Sequence, residues 1–218
     1  MQVRAVLFDW RGTLVVPPTV EDWVEDGLRR LGRPVTAAVT DDVTRRILAS
    51  SGEEDRLDAP GLDSDPQRHR DALLTVFRDA GIDEPLAQAI YASESDHTRN
   101  RFVSDSVPTI RALHRGGILV GVVSDIHFDI RPAFAAAGLA DAVDSYSLSF
   151  EIGSEKPDPA IFAHALSSLG VTAGEALMVG DRSRPDGGAV ESGIPTLLLP
   201  PALSPADERL HLVGKLVL

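Results

Sequence analysis

Not one of the 218 residues is cysteine, and only two, Lys156 and Lys215, are lysine. Without thiols there are no disulfides and no thiolate zinc sites, and the redox compartment is left undecided. Positive charge is scarce. Twenty-one Lys and Arg face thirty-three Asp and Glu, for a net charge of −12, which argues against nucleic acid as a partner. An anionic substrate would need a local cation to overcome that field. No apolar run approaches the roughly 18 residues that span a bilayer. The opening MQVRAVLFDW lacks the apolar stretch and cleavage site of a secretory signal, so a cytoplasmic protein is expected.

What remains is an ordinary globular composition, 43% hydrophobic and 25% charged, long enough for one large domain or a domain carrying an inserted smaller one. VRAVLF (3–8) reads as a strand buried on both faces, as in a parallel sheet. GILVGVVS (117–124), EALMVGD (175–181) and GIPTLLLP (193–200) read the same way. Helical patterns separate them: VPTIRALHRGG, RPAFAAAGL and DPAIFAHALSSLG each stop at glycine. Strands alternating with helices imply an α/β fold with a Rossmann-like parallel sheet. Between about 16 and 102 the pattern changes. VEDWVEDGLRRLG, DDVTRRILASSG, RHRDALLTVFRDAG and PLAQAIYASESDHTRN all follow the 3.6 period, and none reads as a strand. The expected organisation is an α/β core over 1–15 and 103–218 with an all-helical unit, 16–102, inserted after the first strand. The tail is expected to hold a loop and one short final element.

In a parallel α/β sheet, ligands bind beyond the carboxyl ends of the strands. Those ends are unusually polar here: Asp9 after the first strand, Ser124 and Asp125 after the second, Asp181 after the third with Asp186 five residues on. Lys156 stands just before a helix start in SEKPDPAIF. Singly, each has a plain structural reading, as turn residue, N-cap or solvated charge. Four such features in order, each closing its own element, point to a reaction centre.

FDWRGTL, VVSD, EKPDPAIF and MVGDRSRPD resemble, in that order, the four motifs of the haloacid dehalogenase-like (HAD) superfamily. The resemblance covers nearly the whole chain, and the helical insertion resembles the family's first class of cap. It implies Asp9 as nucleophile, attacking phosphorus to give an aspartyl-phosphate. It implies Ser124 on a phosphoryl oxygen and Lys156 neutralising charge on Asp9 and the phosphate. Asp9, the Arg11 backbone carbonyl, Asp181 and Asp186 would hold Mg²⁺, a cation that prefers oxygen ligands shared with substrate phosphates. Gly12 and Thr13 would form the turn that meets the phosphate, and Asp125 would line the pocket. The implied partner is a small phosphorylated molecule; monomer and homodimer both stay open.

The first motif is atypical. Where phosphatases of the family carry a second Asp as general acid and base, DWRGT has Arg11. A guanidinium cannot exchange that proton, and such assistance is worth about 10²–10⁴-fold in rate. A slow phosphatase is therefore expected, with a catalytically impaired binding or regulatory protein as the alternative. A dehalogenase-type hydrolase is a weaker one, because the acids of the fourth motif are kept. Phosphonoacetaldehyde hydrolases share the Trp of DW but need a cap lysine, and 16–102 contains none. The structural alternative for Arg11 is that its side chain swings out to pair with an acid of the insertion, such as Glu21, Asp22 or Glu25. The insertion's Arg29, Arg30, Arg45, Arg46, Arg68, His69 and Arg70 read mainly as solvated helix faces, and Trp23 as core or lid. Asp125, His127 and Asp129 read as loop chemistry lining the pocket rather than a metal site.

Overall fold

A computed structural model describes residues 2–52 and 56–218. Five parallel strands form the central sheet: β1 (Ala5–Phe8), β4 (Leu119–Ser124), β5 (Ser145–Leu148), β6 (Ala176–Gly180) and β7 (Thr196–Leu198), in the order β5-β4-β1-β6-β7. β1 lies at the centre, paired Leu7 to Gly121 on one side and Leu7 to Met178 on the other. Its four residues are fully buried, and their alternation splits them between two cores. Val6 and Phe8 join Ile110, Leu113, Phe134 and Val213, from α5 (Ser106–Arg115), α6 (Arg131–Ala136) and α9 (His211–Val217). Ala5 and Leu7 join Ile161, Phe162 and Leu169 of α8 (Pro159–Leu169). Helices on both faces explain why the strands read as continuous apolar runs.

Among the described residues, four α-helices run between β2 (Val15–Val16) and β3 (Arg101–Phe102): α1 (Val20–Arg30), α2 (Ala37–Ser51), α3 (Pro66–Asp79) and α4 (Glu84–Glu94). They bury an apolar cluster of their own, with Val24, Ile47, Leu73, Phe77 and Ile90 at its centre. Their starts are set by local chemistry. Thr19 and Asp22 form a reciprocal cap on α1, while Asp65 and Asp83 cap α3 and α4 ahead of a proline in the first turn. Gly27 lets α1 approach α4, since a Cβ there would lie 2.9 Å from Ile90.

Four elements differ from the sequence expectation. β2 and β3 form an antiparallel two-residue ribbon at the mouth of the helical segment, Val15 opposite Phe102 and Val16 opposite Arg101. Two residues carry no readable period, which is why Val16, Arg101 and Phe102 read as outside any strand from sequence. β5 is also new: SYSL alternates weakly, and its register comes from pairing with β4. The short helix α7 (Ser149–Ile152) follows it directly. The final element of the tail is the helix α9.

Candidate active site

Asp9 directly follows β1, and its amide donates to the Val179 carbonyl at 2.9 Å. The chain then turns sharply. The Trp10 carbonyl accepts from Leu14 at 2.9 Å and Val15 at 3.2 Å, and the fully buried Trp10 ring packs on Phe102 and Phe134. Trp10 is thus core, an anchor for the loop. Gly12 sits at φ +85°, and a Cβ there would lie 2.6 Å from Asp181 Oδ2. Only glycine combines that backbone with that approach.

Residues from separate stretches of the chain meet at this rim. Lys156 Nζ donates to Asp9 Oδ1 at 2.5 Å and to Asp186 Oδ1 at 2.6 Å, with its side chain fully buried. Carboxylate oxygens of Asp9, Asp181 and Asp186 lie within 4.8 Å of one another. Asp186 also accepts the amides of Asp181 and Arg182, at 3.0 and 2.9 Å, which closes the loop after β6. Thr13 Oγ1 donates to Asp181 Oδ1 at 3.1 Å. Ser124, at the end of β4, lines a cavity of about 340 Å³ together with Asp9, Arg11, Gly12, Asp125 and Asp181. Asp125 Oδ1 accepts the Lys156 amide at 2.8 Å.

Burial pushes the Asp9 carboxyl up to about 7, with Lys156 pulling against it and Asp186 and Asp181 adding like charge. Lys156 is desolvated too, yet Asp9, Asp125 and Asp186 hold its ammonium well above the ordinary lysine range. Asp181 is raised by burial and by Asp186. Three carboxylates around one buried ammonium leave an excess of negative charge, and the donor set is all oxygen. That chemistry fits a hard divalent cation such as Mg²⁺: Asp9, Asp181 and Asp186, whose carboxylates converge, and the Arg11 carbonyl are the groups that would hold it.

The Arg11 side chain does not reach Glu21, Asp22 or Glu25. It reaches the far end of the helical segment. Nη1 donates to Glu94 Oε1, Nη2 to the Glu94 carbonyl and Nε to Asn100 Oδ1, each at 3.0 Å. The guanidinium also lies over the Phe128 ring, 5.4 Å from its centroid. Sequence reading missed Glu94 because it sits in an ordinary amphipathic pattern; only its fold places it, 2% exposed, beside Arg11. Burial opposes ionisation of Glu94, but the Arg11 charge and the His127 hydrogen bond more than reverse this, and its carboxyl stands well below the ordinary range.

His127 is nearly fully buried and lies between two acids, with Nε2 3.0 Å from Glu94 Oε2 and Nδ1 3.1 Å from Asp63 Oδ1. His69 stacks on it at 3.3 Å. His69, expected on a solvated face, is therefore an interior residue, and burial and the neighbouring His127 push its imidazole down to about 4. Asp129 is not part of this group; it pairs with Arg131. The segment bearing Asp63 is docked on the α/β part by Glu155, which accepts the amides of Gly61, Asp63 and Ser64 at 2.6, 2.6 and 3.1 Å. A second cavity, about 530 Å³, is lined by Asp58, Asp63, Asp125, Lys156, Arg182 and Arg184. It shares Asp58, Asp63, Asp125 and Arg182 with the first.

Residues 3–192 match the family model of the haloacid dehalogenase-like hydrolases. The glyceraldehyde 3-phosphate phosphatase of Methanopyrus kandleri is 30% identical over 89% of this chain and 83% of its own. The phosphoserine phosphatase of Thermus thermophilus is 29% identical over 70% of this chain, a match that spans 64% of that relative's length. Among solved structures, a 2-haloacid dehalogenase from Pseudomonas syringae superposes with a TM-score of 0.66 at 23% identity, over 99% of this chain and 98% of that one. A phosphatase of this superfamily from Thermococcus onnurineus superposes with a TM-score of 0.65 at 24% identity, over 100% and 98%. At these identities both structures bear on the fold alone.

Proposed function

The chain belongs to the haloacid dehalogenase-like hydrolases, and we propose that it hydrolyses small phosphoesters through Asp9, slowly, with Mg²⁺. The observation that carries this reading is Lys156 Nζ bridging Asp9 and Asp186 at 2.5 and 2.6 Å in a buried pocket beside Asp181. The ammonium holds one oxygen of Asp9 and leaves the other for phosphorus. Attack forms the Asp9–phosphorus bond as the ester P–O bond breaks, and water then cleaves the aspartyl-phosphate. Ser124, which lines the same cavity as Asp9, would hold a phosphoryl oxygen. The bound cation would offset charge on the phosphate and the acids around it. The helices α1–α4 act as a cap over the cavity, and Asp58 and Asp63 bring its loop to the substrate.

The departing alkoxide receives no proton from position 11, since Arg11 is a cation committed to Glu94 and Asn100. The enzyme is therefore suited to good leaving groups, such as acyl and aryl phosphates. A panel of phosphoesters with Mg²⁺ tests this. Turnover above an Asp9→Asn control is expected, and its absence with every ester would end the catalytic reading. That same commitment of Arg11 favours a second reading, a protein that binds a phosphorylated ligand without turning it over. Ligand binding by a protein inert toward the whole panel would establish it.

A further inference from the structure

We propose, resting on that phosphatase reading, that Arg209 is a positioning residue of the active site, which holds the Gly12–Thr13 turn and, through it, Asp181. Its Nη2 donates to the Thr13 carbonyl at 2.7 Å and to the Gly12 carbonyl at 3.3 Å, and its Nη1 donates to the Pro200 carbonyl. Thr13 is fully buried, and among the described residues its carbonyl accepts from Arg209 alone. A buried carbonyl without a donor is costly, so the guanidinium sets the direction in which this peptide faces. Three carbonyls converging on one point repel one another unless a cation stands between them. The planar fork of arginine brings several donors at fixed angles, which lysine cannot match.

The turn so held is pressed against the acids of the site. A Cβ on Gly12 would stand 2.6 Å from Asp181 Oδ2, and Thr13 Oγ1 donates to Asp181 Oδ1 at 3.1 Å. The Arg11 carbonyl belongs to the peptide that joins Gly12. A tilt of the turn would therefore displace both Asp181 and that carbonyl. The segment bearing Arg209 is itself fixed from several sides. The Ala202 amide donates to the Gly12 carbonyl at 2.7 Å. Asp207 Oδ2 accepts the amides of Leu203 and Ser204 at 2.9 and 3.0 Å. Ser104, just past β3, donates its amide to the Pro205 carbonyl at 2.8 Å and its hydroxyl to the Asp207 carbonyl at 3.0 Å. Pro201, Ala202 and Leu203 thereby form one wall of the cavity that holds Asp9 and Asp181. A segment that reads as a plain tail in sequence is part of the reaction centre, and Arg209 is the group that fastens it to the catalytic turn.

The test uses the full-length protein with Arg209→Ala and Arg209→Lys; lysine keeps the charge and loses the fork. In chelator-treated protein, amide exchange at Gly12, Leu14 and Ala202 should quicken by about tenfold, the worth of one charge-assisted hydrogen bond. Calorimetric titration with Mg²⁺ should show affinity lowered by about 10–100-fold in both variants, the usual loss when an outer partner of a metal site is removed. Millimolar guanidinium ion should restore part of that affinity to Arg209→Ala and none to Arg209→Lys. A fold merely weakened by the substitution would gain nothing from a denaturant. Where Arg209→Ala does not fold, Arg209→Lys carries the exchange and Mg²⁺ measurements. Wild-type Mg²⁺ affinity in the variants, wild-type exchange at Leu14, or an Arg209→Lys protein equal to wild type would each overturn the role of Arg209 and leave the phosphatase reading standing. A wild-type protein that neither turns over any ester nor takes up Mg²⁺ would overturn that reading, and the role of Arg209 with it.

Discussion

Arg11 Nη1 lies 3.0 Å from Glu94 Oε1. That contact ties the loop after the central strand to the last turn of α4, and it gives position 11 a structural task where an acid would have a chemical one. Replacing Arg11 by Asp alone would set two carboxylates against each other at a buried site, with a loss on the order of 3 kcal/mol. The double change Arg11→Asp with Glu94→Gln removes the clash. It should raise kcat for alkyl phosphates by about 10²–10⁴-fold, the usual worth of general acid–base help. Unchanged rates in a folded double variant would show that position 11 is not what limits turnover.

Lys156→Met should abolish turnover and lower the melting temperature. Its ammonium is the shared partner of Asp9 and Asp186, and removing one member of a buried ion pair costs about 3–5 kcal/mol. Calorimetric melting of the variant at neutral pH provides the check; an unshifted transition would contradict the pairing.

Gly12→Ala should weaken Mg²⁺ binding more than it weakens the fold. The added Cβ would meet Asp181 Oδ2 at 2.6 Å at a backbone φ of +85°, a conformation costing about 1–3 kcal/mol for other residues. Titration of Mg²⁺ against the variant, with melting as the companion measurement, separates the two effects.

Glu155→Ala should release the 58–65 segment. Three amides lose their acceptor, and one charge-assisted hydrogen bond of about 1.5 kcal/mol implies exchange on the order of tenfold faster. Amide exchange at Gly61, Asp63 and Ser64 reads this directly, and exchange at the wild-type rate would show that other contacts hold the segment.

Glu94 should make the protein acid-sensitive. Its carboxyl is held below the ordinary value of 4.5 in the folded chain. A depressed carboxyl contributes stability that is complete above about pH 4.5 and is lost as pH falls toward the folded value. Melting temperatures of chelator-treated protein between pH 3 and pH 7 should fall steeply on the acid side for wild type and more gently for Glu94→Gln. Parallel curves would remove Glu94 from the account.

Much of the α/β part was legible because its physics is local. Runs such as VRAVLF and EALMVGD must be buried on both faces, and the acids that follow them mark strand ends. Asp9, Ser124 and Asp181 could be grouped for that reason, and Lys156 joined them as the charge just before a helix start. The His127 cluster could not. Its members come from three separate stretches, and nothing in the period of α3 distinguishes His69 from a solvated polar residue. Arg11 was legible as an oddity of its motif, but its partner was not, because Glu94 lies 83 residues away and is positioned by the packing of α4 on α1. The ribbon β2–β3 escaped notice because two residues are too few to display alternation.

That ribbon has a consequence for how the molecule can be rebuilt. Val16 stands opposite Arg101, so the chain leaves and re-enters the α/β part at points about one strand spacing apart, close to 5 Å. A hairpin turn of about two to four residues can splice those points. The whole excursion is thus a detachable module in the topological sense, and a different lid could be grafted there without rethreading the sheet.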